Sequence, residues 1–217
     1  MSEPTTPVRR RGRFVTFEGG EGAGKTTQLR RLAERLAGRG LEVVATREPG
    51  GTPGAEAIRG LIVQGTAERW RPLSELYLFL AARDDHLHRL VLPAIERGAW
   101  VLCDRFADSS RVYQGYAGGL GVELVDALHG PLLEGARPNL TLLLDLPVEI
   151  GLARCQARGD LARFEAKGQA FHERVREGFL LLARREPERF AVVDAAGDPE
   201  ATHRAIWSAV QARLGPL

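Results

Sequence analysis

Lysine is almost missing from this 217-residue sequence: it occurs only at Lys25 and Lys167, and every other basic residue is arginine. Genome coding composition alone can produce such a bias, so a lysine retained inside a motif is the more informative. Asparagine is scarcer still. The single example, Asn139, is followed by Leu140, so the chain lacks the N-K-x-D segment with which regulatory GTPases read guanine. Cys103 and Cys155 stand far apart and show no metal-ligand spacing, and two thiols do not make a disulfide framework. Reduced thiols and a cytoplasmic protein are expected. The five histidines do not cluster, and His86 and His88 read as helix-surface residues. Behind the basic residues of the N-terminus no apolar stretch is long enough for a signal peptide or a membrane span, and no internal repeat or low-complexity segment appears. Charge of one sign is also lacking. With 30 basic and 28 acidic residues the net charge is +2, so no overall field drives the chain onto nucleic acid or anionic membrane.

What is present fits one α/β domain. Residues 1–12 read as a disordered tail and residues 13–217 as a single domain. Arg13 to Glu18 has strand character, Gly-rich sequence follows, and Thr26 to Arg39 carries leucines at helical spacing. Glu42 to Thr46 reads as a second strand, Glu48 to Gly54 as a turn, and Ala55 to Gln64 as helix. Ser74 is expected to cap a long helix running to Glu96, with Pro93 kinking or restarting it. The apolar runs Trp100 to Cys103 and Leu140 to Leu144 end in Asp104 and Asp145, as buried parallel strands do. Helices are expected at Glu149 to Gln156 and Gln169 to Arg185, then a strand at Phe190 to Asp194 and a final helix. Five strands alternating with helices predict a parallel sheet with helices on both faces. Its ligands should lie beyond the strand C-termini, where groups after Phe17, Thr46, Cys103 and Leu144 converge. Cys103 is expected to pack in the core as a small hydrophobe.

The segment Gly19-Gly20-Glu21-Gly22-Ala23-Gly24-Lys25-Thr26 matches G-x-x-x-x-G-K-[ST] between a strand and a helix, which is the P-loop signature. Glycines let the backbone curl until several N–H groups face one anion, and the following helix adds its positive N-terminal end. ATP would bind along this loop and Thr27, with Lys25 on the β- and γ-phosphates and the Thr26 hydroxyl on Mg²⁺. The motif alone leaves open kinases, GTPases, motors and recombinases. The small size favours a phosphotransferase acting on a small molecule.

Four further segments narrow the choice: Thr46-Arg47-Glu48-Pro49-Gly50-Gly51-Thr52, Leu78-Phe79-Leu80-Ala81-Ala82-Arg83, Asp104-Arg105-Phe106-Ala107-Asp108-Ser109-Ser110-Arg111-Val112-Tyr113-Gln114-Gly115, and Arg158-Gly159-Asp160-Leu161-Ala162-Arg163-Phe164-Glu165. With the phosphate loop, these resemble the bacterial thymidylate kinase family from about Arg13 to the C-terminus. The resemblance implies a P-loop NTPase fold with a short lid at about 154–168, a homodimer, and Mg²⁺-dependent transfer from ATP to thymidine monophosphate. It implies that Arg105 and Arg59 hold the acceptor phosphate, that Phe79 stacks on thymine and Arg83 bonds a base carbonyl, and that Ser110 and Gln114 lie near the other polar edge. Glu21 is implied to approach the sugar 3′-hydroxyl, Tyr113 to exclude a ribose 2′-hydroxyl, and Glu165 to belong to the acceptor side. Asp104 would bind Mg²⁺ directly or through water.

With Gly22 in the phosphate loop, the resemblance implies that the transition-state arginine comes from the lid, where Arg154, Arg158 and Arg163 are the candidates. Arg158, beside the flexible Gly159, is best placed to swing, and Gly22→Arg is expected to restore part of the rate if it is lost. Two departures from the family pattern stand out. Ala162 replaces an aspartate whose role is absent or filled by Asp160 or Glu165, and Asn139 replaces another at a loop position of little expected consequence. Two rival readings are another small-acceptor P-loop kinase and a nucleotide-dependent switch without acceptor-stimulated turnover.

Overall fold

The computed structural model describes residues 11–66, 69–157 and 167–215. Five strands, β1 (Arg13–Glu18), β2 (Val43–Arg47), β3 (Trp100–Asp104), β4 (Leu140–Asp145) and β5 (Phe190–Asp194), form one sheet in the order β2-β3-β1-β4-β5. All four pairings are parallel, with Phe17 of β1 level with Asp104 of β3 and Leu142 of β4. Central strands of such a sheet are covered on both faces, so they carry unbroken apolar runs. Leu140 through Leu144 are all buried. Because β1 is flanked by strands reached in opposite directions along the chain, its C-terminal end is the crevice where such sheets bind ligands.

On one face, α1 (Lys25–Ala37) and α9 (Pro199–Leu214) pack Leu29, Leu32, Leu36, Ile206 and Val210 against Val15, Phe17 and Leu142. The leucines of α1 recur at helical spacing, which is why one stripe is buried. Helix α3 (Pro72–His86) leads into the cover of the opposite face, formed by Leu87–Val91, α4 (Leu92–Glu96) and α8 (Gln169–Arg185), with Leu87, Val91 and Ile95 over Phe14 and Val101, and Val175 and Phe179 over Leu143. Cys103 lies fully buried on that side.

Several local expectations are corrected. Helix α3 starts at Pro72 with Arg71 as its flanking residue, so Ser74 is an interior residue and not the cap; proline at the first helical position supplies the fixed φ. Pro93 is absorbed by a π-helical turn at Leu87–Val91 that leads into α4, which relieves the carbonyl clash of an interior proline. Helix α2 (Pro53–Val63) is capped by Thr52, whose hydroxyl accepts from Ala55 N. Sequence periodicity gave no elements between Asp104 and Asn139, yet α5 (Ala107–Ser110), a π-helical turn at Arg111–Tyr116 and α6 (Val122–His129) occupy it. Short π and α segments carry no periodic stripe to read.

Asn139 has a definite structural task. Its N–H donates to Phe14 O, and its Oδ1 accepts from Phe14 N, both at 2.7 Å, which pins the entry of β4 onto β1. At the N-terminal side, Gly12 N donates to Ile95 O and the Arg11 guanidinium to Gly135 O. A Cβ at position 12 would lie 2.0 Å from Ala99 O.

Candidate active site

Chain geometry at the end of β1 follows from glycine. Gly19, Gly22 and Gly24 have φ of 138°, 69° and 83°, values that cost side-chain-bearing residues strain. The loop thus turns back over the start of α1, presenting its backbone at the helix's positive end. Lys25 is buried, and its Nζ donates to Gly19 O at 3.1 Å and Gly20 O at 2.7 Å. Burial, then the charge of Arg105, lower its pKa. Residues Glu21 to Thr27 with Asp104 and Arg105 line a cavity of 390 Å³ over the loop.

Thr26 Oγ1 donates to Asp104 Oδ2 at 2.5 Å. A hydroxyl and a carboxylate oxygen facing the same cavity as the phosphate loop make a pair of hard oxygen donors suited to Mg²⁺, which takes few protein ligands and completes its shell with phosphate and water. Among the described residues no group of three or more His, Cys, Asp or Glu could hold a metal ion by itself.

Arg105 follows β3 with φ 67°. A non-glycine residue held there marks a position fixed by its surroundings. Its N–H donates to Phe17 O, and Nη2 donates to Glu21 Oε1 at 2.7 Å while Nη1 donates to Gly19 O at 3.1 Å. The Tyr113 hydroxyl donates to the same Glu21 oxygen at 2.9 Å, and the Arg105 guanidinium sits 5.0 Å from the Tyr113 ring centre. Burial by itself would raise the Glu21 pKa. The charges of Arg105 and Lys25 and the Tyr113 hydrogen bond overcome it and bring the pKa down to about 2. The Arg105 guanidinium, in turn, is held more firmly charged by Glu21 against the opposing effect of burial.

Beyond Arg105 lies a second cavity of 170 Å³ whose wall includes Glu21, Arg59, Phe79, Ser110, Tyr113 and Gln114. Arg59 reaches it from α2, its Nη1 donating to Pro49 O at 2.8 Å; burial, then Arg47, lower its pKa. Gln114 Nε2 donates to Glu75 Oε1 at 2.9 Å, which leaves its buried Oε1 without a partner. Arg83 is not in this wall. It lies behind Glu48 and Ser110, donating from Nε to Glu48 Oε2 at 2.7 Å and from Nη1 to Ser110 Oγ at 3.2 Å. The pKa of Glu48 is lowered: burial opposes this, and Arg83 and His86 outweigh it.

A family profile described as thymidylate kinase matches residues 17–206. The chain belongs to the thymidylate kinase family. It is 57% identical over 204 residues to a thymidylate kinase of Caulobacter vibrioides, covering 94% of this chain and 98% of that one. Against a thymidylate kinase of Bradyrhizobium diazoefficiens the identity is 48% over 209 residues, or 95% and 92% of the two chains. The crystal structure of thymidylate kinase from Ehrlichia chaffeensis superposes with a TM-score of 0.76 at 31% identity, covering 93% of this chain and all of that one.

Among the residues singled out in the sequence of this thymidylate kinase family member, the fold gathers Glu21, Lys25, Thr26, Asp104 and Arg105 at the first cavity and Arg59, Phe79, Ser110, Tyr113 and Gln114 at the second. Arg154, on α7 (Val148–Ala157), donates instead to backbone carbonyls, at 3.1 Å to Ala195 and 3.0 Å to Ala196, with a longer contact to Gly22. Asp145 is engaged by a bidentate ion pair with Arg176. Arg158, Ala162, Arg163 and Glu165 lie outside the described residues.

Three residues were missed. His86 is fully buried and not on the helix surface; its ring bridges Glu48 Oε1 at 2.9 Å and Thr46 Oγ1 at 2.8 Å. Glu18 Oε1 accepts from Phe106 N and Ser109 N, and Oε2 from Ser109 Oγ, so this carboxylate holds the start of α5. Burial, then the charge of Asp108, push its pKa up to about 7. His129, at the end of α6, contacts Arg83. Glu18 had a signal, a carboxylate at a buried strand end. The histidines had none, because their partners come from segments remote in sequence.

Proposed function

We infer that this protein transfers the γ-phosphoryl group of ATP to thymidine monophosphate, giving ADP and thymidine diphosphate. One observation carries the reading: Glu21 and Arg105 line both cavities, so a donor on the phosphate loop and an acceptor in the second cavity would meet across them. Transfer forms a bond from an acceptor phosphate oxygen to the γ-phosphorus and breaks the bond to the β,γ-bridging oxygen. The protein's contribution to such a step is alignment and charge neutralisation.

In this reading Gly19, Gly20, Gly22, Ala23, Gly24 and Thr27 cradle the donor phosphates, and Lys25 leaves its carbonyl partners to meet the β- and γ-oxygens. Thr26 and Asp104 would hold Mg²⁺, which when bound with ATP neutralises charge on those oxygens. Arg59 and Arg105 grip the acceptor phosphate, where a guanidinium fork fits better than an ammonium. Phe79 offers a stacking face for the base. The lone acceptor Oε1 of Gln114 suits the N3–H of thymine. Glu21 and Tyr113 take the sugar, Glu165 closes the acceptor side, and Arg158, with Arg154 alongside it on the donor, supplies the transition-state charge.

Among the described residues no helix is long and apolar enough to cross a membrane; in this reading the enzyme acts in the cytoplasm on small-molecule substrates. Leu61 of α2, Leu73 and Tyr77 of α3, and Leu124 of α6 are exposed, and this apolar surface supports a homodimer. Sedimentation of the parent and a Tyr77→Glu variant tests it. The test of function is ADP release against a panel of nucleoside and nucleotide acceptors. Thymidine monophosphate should give the highest kcat/KM; equal turnover without acceptor would overturn the kinase reading.

A further inference from the structure

The buried charge of Arg83 is matched by Glu48, with the side chains 1% and 3% exposed. An ion pair alone does not fix a guanidinium, which has five donors and a flexible stem. The remaining contacts do. Nη1 of Arg83 faces both Ser110 Oγ and Nε2 of His129, while Nδ1 of the same imidazole lies 2.7 Å from Val125 O, one helical turn earlier.

A carbonyl only accepts, so the imidazole proton sits on Nδ1 and Nε2 presents its lone pair to Arg83. A protonated imidazole would set two cations against each other in a buried site. The groups around the ring agree: burial and then the Arg83 charge lower the His129 pKa to about 4, against the opposing effects of the Val125 hydrogen bond and the carboxylates Glu48 and Asp108. Glu48 reaches the cluster from the turn after β2, Asp108 from α5, and Arg83 from α3. These bonds engage Nε and Nη1, and Ser110, which Nη1 grips, stands in the wall of the second cavity.

We propose that His129 is a positioning residue for acceptor-base selection: as a neutral, Nδ1-protonated imidazole it locks the Arg83 guanidinium behind the acceptor cavity, so that Ser110, which Arg83 grips and which lines that cavity, keeps its hydroxyl proton toward the base. The proposal rests on reading that cavity as the base pocket. The Ser110 hydroxyl, fixed by Arg83 in the same wall as the acceptor Oε1 of Gln114, would match the 4-carbonyl and N3–H of an oxo-pyrimidine. It opposes the amino group and N3 lone pair of cytosine, and unmatched buried polar groups are what give a site strong discrimination. If the guanidinium were free to swivel, that discrimination would fall.

The test uses His129→Phe, which keeps volume and removes the acceptor, and His129→Gln, whose Oε1 can replace Nε2. For His129→Phe the ratio of kcat/KM for thymidine over deoxycytidine monophosphate should fall by about tenfold, with the change in KM for thymidine monophosphate rather than in KM for ATP. His129→Gln should recover most of the ratio. Gln114→Leu and Arg83→Gln serve as separate probes of the pocket. If both leave the ratio unchanged, the base-pocket reading fails. If they lower it and His129→Phe does not, only the positioning role fails. Independently of how the variants fold, ¹⁵N-histidine spectra of the parent protein should show His129 protonated at Nδ1 and neutral at pH 6. A resonance pattern for the Nε2-protonated or the doubly protonated ring would overturn the proposal.

Discussion

Gly22 of the phosphate loop and Gly151 of α7 pack backbone against backbone. A Cβ on Gly22 would lie 2.1 Å from Gly151 O, and a Cβ on Gly151 would lie 2.3 Å from Glu21 O. Helix α7 therefore rests directly on the phosphate loop. Gly151→Ala should force them apart, and a misplacement of this order costs on the order of a hundredfold in rate. We expect kcat to fall and KM for ATP to rise with only a few degrees lost in Tm. A parental kcat would show that the contact is packing alone.

The same contact revises an expectation drawn from sequence. Arg158→Ala is expected to lower kcat by at least about a hundredfold, since an arginine that acts on the transferring phosphoryl group contributes mainly in the transition state. Affinity for thymidine monophosphate by calorimetry should hardly change. Gly22→Arg should not restore the rate, because at φ 69° its side chain would meet Gly151 before reaching any phosphate. Recovery in the double variant would count against the packing argument, and a parental kcat for Arg158→Ala would move the role to Arg154 or Arg163.

Tyr113 touches Glu21 through its hydroxyl and also lines the second cavity. Two substitutions separate these functions. Tyr113→Phe should keep the preference for deoxyribonucleotide acceptors while losing the hydrogen bond, and Tyr113→Ala should narrow the gap between deoxyribo- and ribonucleotides in kcat/KM. Equal losses for both acceptors in Tyr113→Ala would make the ring a packing element.

Glu21 links stability to acid. Its folded pKa of about 2 lies below the ordinary 4.5, so in acid the unfolded chain binds the proton first. Stability from this group is present above pH 4.5 and is lost as pH falls toward 2. The shift corresponds to on the order of 3 kcal/mol. Urea unfolding of Glu21→Gln should therefore show a deficit at neutral pH that closes in acid. Parallel curves for the two proteins would rule out the linkage.

The sequence by itself determined the parallel sheet, because buried strands need continuous apolar runs and their helices need leucine at helical spacing. It also determined the phosphate loop, because its glycines, Lys25 and Thr26 are contiguous and act locally. Segments such as Asp104 to Gln114 disclosed their residues through resemblance, but without the geometry joining Glu21, Arg105 and Tyr113. Tertiary structure alone decided the rest. It buried His86 against Glu48, gave Asn139 its place on β1, and brought His129 onto Arg83 across 46 positions. It also set Gly151 against the loop. These relationships depend on long-range packing, in which neither partner carries a local propensity that marks the other. A histidine reads the same on paper whether solvent or a buried guanidinium faces it, and only the assembled fold makes that choice.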